Sequence, residues 1–175
     1  MKILASALLL LLSMPLLSQN VPAASPNPWS SLDFLQGSWQ AKTQGNASVT
    51  ASGMYTFSME LGNHILARHS IPSSCKGPET FHCDHGDLLY VYEDDPGQPL
   101  KAIYFDNEGH VIHYDVATPT PTTVIFLSDA SQVGPRFRLI YELKDAIMFG
   151  KFQVQMPGQS EWSSYLEWSG AKVKP

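Results

Sequence analysis

An alternation of apolar and polar residues with a period of two begins soon after Trp39 and continues almost to the C-terminus. This period is typical of β-strands that bury one face and expose the other. The alternation is clearest over residues 51–59, where one face of the predicted strand contains Ala51, Gly53, Tyr55, Phe57 and Met59. Short segments rich in Gly, Pro, Asn and Asp interrupt the alternation, as turns do. The sequence therefore predicts about ten strands joined mostly by short turns.

A short helix is predicted before the first strand. Residues 29–35 allow two helical turns, capped by Ser30 or Ser31 and ended by Gly37. The apolar side chains that share its face are Trp29, Leu32 and Leu35.

Ten strands that each carry an apolar face must cover those faces, and closing the sheet on itself also removes the unpaired edges. We therefore predict an all-β fold, a single antiparallel up-and-down β-barrel of about ten strands. The short N-terminal helix closes one end, where Trp39 packs across the floor. A two-sheet sandwich is the alternative, although no pattern indicates Greek-key connections.

The N-terminus predicts a secretory signal peptide that is cleaved after Ala23. Lys2 supplies a positive charge, residues 3–17 are almost wholly apolar, and Val21 and Ala23 are the small residues before the cleavage site. The alternative, a transmembrane anchor, is disfavoured because the apolar run is interrupted and falls short of about 20 residues. We therefore expect a secreted or periplasmic protein with no stable membrane span after cleavage.

The predicted organisation divides the chain into four segments. Residues 1–23 form the signal peptide, 24–28 an extended tail, 29–170 the barrel domain and 171–175 a C-terminal tail. The whole chain of 175 residues has a net charge of −5, and signal cleavage removes one positive charge. Without a basic patch the sequence does not favour a nucleic-acid partner. Asn46 begins a glycosylation sequon, which is meaningful only in a eukaryotic host; an unmodified turn asparagine is the alternative.

Cys75 and Cys83 are the only two cysteines. In an oxidising compartment we expect them to form a disulfide with Cα atoms within about 7 Å. The closed loop is short, so the chain-entropy model gives a stabilisation of only about 2.5 kcal/mol. We expect a larger effect on access to the barrel, because the loop lies between two strands and caps one mouth.

A metal site is the alternative role of these cysteines, with His82 and His85 as further ligands. The spacing matches no usual zinc pattern, and a disulfide would consume both thiolates. His110 and His113 are expected on opposite faces, so they do not share an ion. We predict no metal site.

Five segments carry a resemblance to a known group of proteins. They are Phe34–Trp39, Leu61–Arg68, Leu89–Glu93, Tyr104–Gly109 and the layout of Arg136–Trp168. Together they resemble the calycin-like barrels, in particular a bacterial family of uncharacterised lipocalin-like domains and, more distantly, the nitrobindin-type haem barrels. The resemblance implies a ligand cavity. Nitrobindin-type barrels use a histidine near the C-terminus as axial ligand, and here none follows His113, so no cofactor is assigned.

The candidate ligand-binding residues are those expected to line the barrel interior. His69 is expected to point inward with Ile65, Ala67 and Ile71, as a polar anchor for a ligand or as a hydrogen-bonded core histidine. The candidates are His69, Tyr55, Phe57, Tyr104, Tyr114 and Trp168.

These features favour a barrel that binds a small, mostly apolar ligand, because aromatic walls with a few polar groups are typical of such sites. The first alternative is an enzyme, an isomerase or hydrolase, that uses His69 or His113 as acid or base. No nucleophile-elbow motif supports it. The second alternative is a structural envelope protein whose interior is filled.

Overall fold

The computed structural model describes residues 27–44, 49–129 and 134–174. The predicted signal peptide, residues 24–26 of the predicted tail and Asn46 lie outside these ranges. One 3₁₀ helix (Pro28–Leu35) precedes ten strands. The strands are β1 (Gly37–Thr43), β2 (Thr50–Glu60), β3 (Ile65–Lys76), β4 (Asp87–Tyr92), β5 (Lys101–Asp106), β6 (Val111–Thr120), β7 (Thr123–Ser128), β8 (Arg136–Lys144), β9 (Ile147–Gln155) and β10 (Ser163–Lys172).

The ten strands form one closed barrel in which each strand pairs antiparallel with its sequence neighbours. β1 and β10 close the barrel, with Trp39 opposite Lys172 and Thr43 opposite Trp168. The predicted all-β, up-and-down barrel is therefore confirmed, and the sandwich alternative is wrong. Within the described ranges, no helix is long and apolar enough to span a bilayer.

The helix closes the barrel end at which β1 begins and β10 ends, which we call the helix end. Leu32 and Leu35 are fully buried there, and the indole of Trp39 donates a hydrogen bond of 2.8 Å to the Leu35 carbonyl. The predicted serine cap is wrong. Asn27 caps the helix by accepting a hydrogen bond from the Trp29 amide, and its geometry suits Pro28 at the first helical position.

The opposite end, which we call the open end, is surrounded by loops. Residues 77–86 join β3 to β4, 107–110 join β5 to β6, and 156–162 join β9 to β10. Cys75 and Cys83 are bonded at the base of the first loop with Cα atoms 5.3 Å apart. The predicted disulfide is therefore confirmed.

The inward face of β3 differs from the prediction. Four turn residues separate β2 from β3, so that Met59 pairs with Leu66 and Phe57 with Arg68. Because directly paired residues share a face, Leu66 and Arg68 point inward and His69 points outward. The expectation that His69 lies inside was therefore wrong. The apolar residues Ile65, Ala67 and Ile71 had indicated that His69 faces inward, which placed Arg68 on the solvent side.

β6 also extends further than predicted. The sequence indicated a break at Pro119, whereas the strand continues to Thr120. The pairing with β7 is irregular between Ala117 and Thr120. This irregularity accommodates Pro119, because proline has no amide proton to donate to a regular ladder.

The half of the barrel near the helix is filled with side chains. Those that are almost completely buried include Trp39, Tyr141, Phe57, Phe126, Leu66, Leu89, Met148, Val91 and Val124. Gly150 lies between Tyr141 and Trp168 in one row of paired residues. A Cβ on Gly150 would collide with the Trp168 indole. The absence of a side chain on Gly150 therefore makes room for Trp168.

We expect Gly150→Ala to reduce the free energy of unfolding by roughly 1–3 kcal/mol, because an added methyl group overpacks a filled core. Urea titration measures the change. Gly86→Ala is the control, because its Cβ would meet only the Ser70 carbonyl at an ordinary 3.8 Å. Equal stability of the two variants would show that Trp168 moves aside freely.

Candidate functional site

A hydrogen bond crosses the interior between opposite walls of the barrel. Arg68 on β3 donates from Nη1 to the hydroxyl of Tyr141 on β8, and these strands are as far apart as the ring of ten allows. The other guanidinium nitrogen, Nη2, pairs with the Asp87 carboxylate. Arg68 is 5% exposed and Tyr141 is fully buried. We call the Arg68–Tyr141 contact the interior bridge.

Electrostatics keep the bridge charged at Arg68. Burial by itself lowers the pKa of a guanidinium, but the charge of Asp87 and the contacts of Tyr141 raise the pKa of Arg68 above its ordinary value. Burial raises the pKa of Tyr141, against the opposing effect of Arg68. Arg68 is therefore a permanent cation, Tyr141 stays protonated, and Asp87 supplies the compensating negative charge.

Three buried polar atoms near the bridge have no hydrogen-bond partner among the described residues. They are the hydroxyls of Tyr55 and Tyr114 and the Nε of Arg68. Tyr55 is 4% exposed and Tyr114 is 3% exposed. Leaving such groups unpaired costs about 1–3 kcal/mol each. Two such hydroxyls near a guanidinium that itself has an unpaired Nε are therefore unusual for a core that serves only packing.

All three groups carry a proton that can be donated. Burial and, to a smaller extent, the nearby Tyr141 raise the pKa of Tyr55. The Trp168 indole lowers this pKa somewhat, although the indole and the Tyr55 hydroxyl do not meet the geometry of a hydrogen bond. Burial likewise raises the pKa of Tyr114, and the Arg68 charge opposes the increase in both tyrosines. Both phenols therefore keep their protons, as does the guanidinium.

The interior between the bridge and the open end is less tightly closed than the helix end. Inward side chains on one side of it are apolar and half-buried: Ile112, Phe137, Phe152, Leu166 and Trp168. Phe137 and Phe152 stack with ring centres 5.7 Å apart. Small residues, including Ala41 and Gly53, occupy inward positions on β1, next to β10 in the barrel, and on β2.

The rim of the open end is polar on β4 and β5. Tyr104, Asp87 and Asp106 face inward, and the Tyr104 hydroxyl lies 3.2 Å from Asp106 Oδ2. Burial tends to raise the pKa of Asp106. Hydrogen bonds from the backbone and ring of His110 and from the Glu108 amide lower this pKa below its ordinary value. Asp106 thus holds the β5–β6 turn in shape as a carboxylate.

Five of the six predicted ligand-binding residues lie in the interior. Phe57 is deepest, edge-on to Tyr141 at 5.4 Å; the others are Tyr55, Tyr104, Tyr114 and Trp168. His69 lies on the outer face, with its side chain 44% exposed and Nε2 3.1 Å from a Glu60 oxygen. The sequence prediction missed Arg68, and the one available signal was its position two residues after the apolar Leu66 in the same strand.

The histidines of the enzyme hypothesis do not face the interior. His113 is exposed beside Asp115 on the outer surface of β6. His69 is outside as well, so neither can act as an acid or base on a molecule inside the barrel. In the described chain, no three His, Cys, Asp or Glu side chains are arranged to hold a metal ion. Both cysteine sulfurs are in the disulfide.

Two surface depressions flank the barrel. One, of about 640 Å³, crosses the outer faces of β1, β10 and β9 and includes Gln40, Phe149 and Ala171. The other, of about 220 Å³, includes Lys101, His113 and Asp115. The first is lined mainly by outward-facing side chains and lies outside the barrel, whereas the lining of the second also includes the inward-facing Ala102 and Tyr114.

No protein-family model matches the sequence, and no curated protein matches it. One solved structure, described as EF1p2_mFAP2b bound to DFHBI, aligns with 82% of this chain and 96% of its own. The sequence identity is 11% and the TM-score is 0.35. A similarity this low carries no functional argument.

We expect Arg68→Met to reduce the free energy of unfolding by roughly 3–5 kcal/mol, because it leaves the Asp87 carboxylate buried without its cation. The double variant Arg68→Met/Asp87→Leu should regain most of this loss, since an apolar pair needs no compensation. Urea titration of both proteins measures the difference. Lys151→Met, which breaks an exposed ion pair with Glu167, should have little effect. A double variant as unstable as the single one would contradict the assignment.

Asp106 should contribute to stability in a pH-dependent way. A carboxylate whose pKa is lowered by folding stabilises the protein above its unfolded pKa, ordinarily about 3.9. The contribution is lost as the pH falls through the folded pKa. We therefore expect wild-type protein to lose stability below about pH 4 more steeply than Asp106→Asn. Thermal melts from pH 2 to 6 test this, and parallel curves would exclude the role.

Proposed function

We propose that this protein is a secreted or periplasmic lipocalin-like barrel that binds a small, mostly apolar ligand. The ligand would lie between the interior bridge and the open end. The observation that supports this most is the group of three buried donors without partners, on Tyr55, Tyr114 and Arg68. A ligand oxygen that reached them would relieve their desolvation cost. The half-buried apolar wall would accept the rest of the molecule.

The charges favour a neutral polar group on that ligand. Arg68 is already compensated by Asp87, so a carboxylate brought to the bridge would add a second buried negative charge. A ketone, ester or amide oxygen accepts several hydrogen bonds without that penalty. We therefore propose an apolar molecule with one neutral carbonyl group.

Secretion is supported by two features of the chain. The apolar stretch before Ala23 has the organisation of a signal peptide, and disulfides such as Cys75–Cys83 persist in oxidising compartments. The narrower resemblance to bacterial lipocalin-like domains is part of this proposal. Haem bound in the nitrobindin manner is not, because no histidine follows His113.

A structural barrel without ligand is the second candidate. The interior bridge and the buried residues around it occupy the middle of the barrel, as a filled core would. In that case ordered water would satisfy Tyr55, Tyr114 and Arg68. In the first candidate the tyrosine hydroxyls donate to a ligand, and in the second they donate to ordered water.

We expect Tyr55→Phe and Tyr114→Phe to leave the unliganded protein as stable as wild type or more stable, because each removes an unpaired buried hydroxyl. Each should weaken binding of a long-chain methyl ketone by about 5- to 10-fold, the value of one hydrogen bond. Urea titration and calorimetry measure the two effects. Tyr92→Phe, on the outer face, is the control and should change neither.

A panel of equal chain length tests the ligand class. The methyl ketone and methyl ester should raise the melting temperature more than the fatty acid or the plain hydrocarbon. Protein from its own host, examined by native mass spectrometry, should carry a molecule of this class. If no panel member stabilises the protein and both tyrosine variants lose stability, bound water satisfies the hydroxyls and the structural candidate is correct.

A further inference from the structure

The disulfide loop is fastened to the neighbouring turn at the open end. The Asn107 amide donates to the Gly86 carbonyl and the Gly86 amide to Asn107 Oδ1, both at 3.1 Å. Asn107 Nδ2 also donates to the Asp84 carbonyl at 2.8 Å. Residues 77–86 are thus held by the disulfide at one end and by Asn107 at the other.

His85 extends this attachment from the loop to the barrel interior. Its Nδ1 lies 2.7 Å from a Glu108 carboxylate oxygen, and its Nε2 lies 2.9 Å from the hydroxyl of Tyr104. Nε2 is also 3.7 Å from Asp87 Oδ2. Because Tyr104 faces inward, His85 reaches over the rim and connects the loop to the polar network around Arg68.

The number of available protons indicates which form of His85 fits best. The Tyr104 hydroxyl has one proton, and the 3.2 Å contact uses it toward Asp106. Nε2 must then donate to Tyr104 while Nδ1 donates to Glu108, which requires the imidazolium form. A neutral ring can keep both of its own contacts only if Tyr104 gives up Asp106. It also loses its charge attraction to the carboxylates.

The charged groups that face His85 favour the same form. On β4, Asp87 is compensated by Arg68 of β3. On the β5–β6 turn, Asp106 pairs with His110. Glu108 makes no other ion pair in the part of the chain that the structure describes. Protonated His85 is therefore the cation that Glu108 lacks.

We infer that residues 77–86 form a pH-sensitive lid over the open end, closed by protonated His85 and loosened when His85 loses its proton. The lid is a property of the unliganded protein. Its consequence, slower ligand uptake at mildly acidic pH than above neutrality, rests on the proposed function.

Hydrogen exchange of the unliganded protein tests the lid directly. From pH 5 to 8, the range in which histidines ordinarily titrate, protection of the Gly86 and Asn107 amides should fall about 5- to 10-fold after correction for intrinsic rates. In His85→Gln this pH dependence should disappear. His82→Gln, which changes an exposed histidine of the same loop, should retain it. Amides of β8 and β9 report whether each variant is folded.

Two outcomes would overturn the lid: protection in wild type that does not depend on pH, or a dependence that persists in His85→Gln. Ligand uptake is measured separately with the methyl ketone. If protection responds to pH but no compound binds, the lid is correct and the proposed function fails. If the ketone binds at a rate independent of pH while protection changes, the loop moves without controlling access.

Discussion

The buried guanidinium of Arg68 is the constraint to which the rest of the barrel interior is fitted. A guanidinium in a barrel core loses its water, which is costly unless a carboxylate and well-placed acceptors replace it. Asp87 supplies the charge and Tyr141 the acceptor. Every ladder of the barrel joins neighbouring strands, whereas the bridge joins opposite walls. It therefore ties the two sides of the barrel together directly.

The bridge also divides the interior into two unlike parts. Toward the helix, side chains such as Phe57 and Leu66 are packed without exposure and the mouth is closed. Toward the open end, the walls are half-buried and the rim is polar. The charged centre thus lies at the boundary, with unpaired donors on Tyr55 and Tyr114 beside it. Each of these two hydroxyls is expected to favour binding of a ligand but to lower the stability of the unliganded protein.

The period-two pattern predicted the barrel and its strand number, because burial of alternate side chains is a local property of sequence. The helix was predicted from the shared face of Trp29, Leu32 and Leu35, and the disulfide from the two cysteines and the expected compartment. The period-two pattern failed at β3, where the length of the 61–64 turn decides which of His69 and Arg68 faces inward. Polarity alone predicts that an arginine faces solvent. Arg68 faces inward because it is paired with Asp87 and Tyr141, which are distant in sequence. Contacts of this kind cannot be derived from spacing. The inward tyrosines were predicted because they alternate with polar residues.

The pairing of β1 with β10 has a consequence for how the chain folds. The other nine ladders join sequence neighbours and can form as soon as each hairpin is complete. The closing ladder, with Trp39 opposite Lys172, spans nearly the whole chain and carries the loop-closure entropy of that span. Until its last strand has paired, a folding chain therefore holds an unclosed sheet with two free edges. Such edges attract other strands, so the interval before closure is when this protein is most exposed to aggregation.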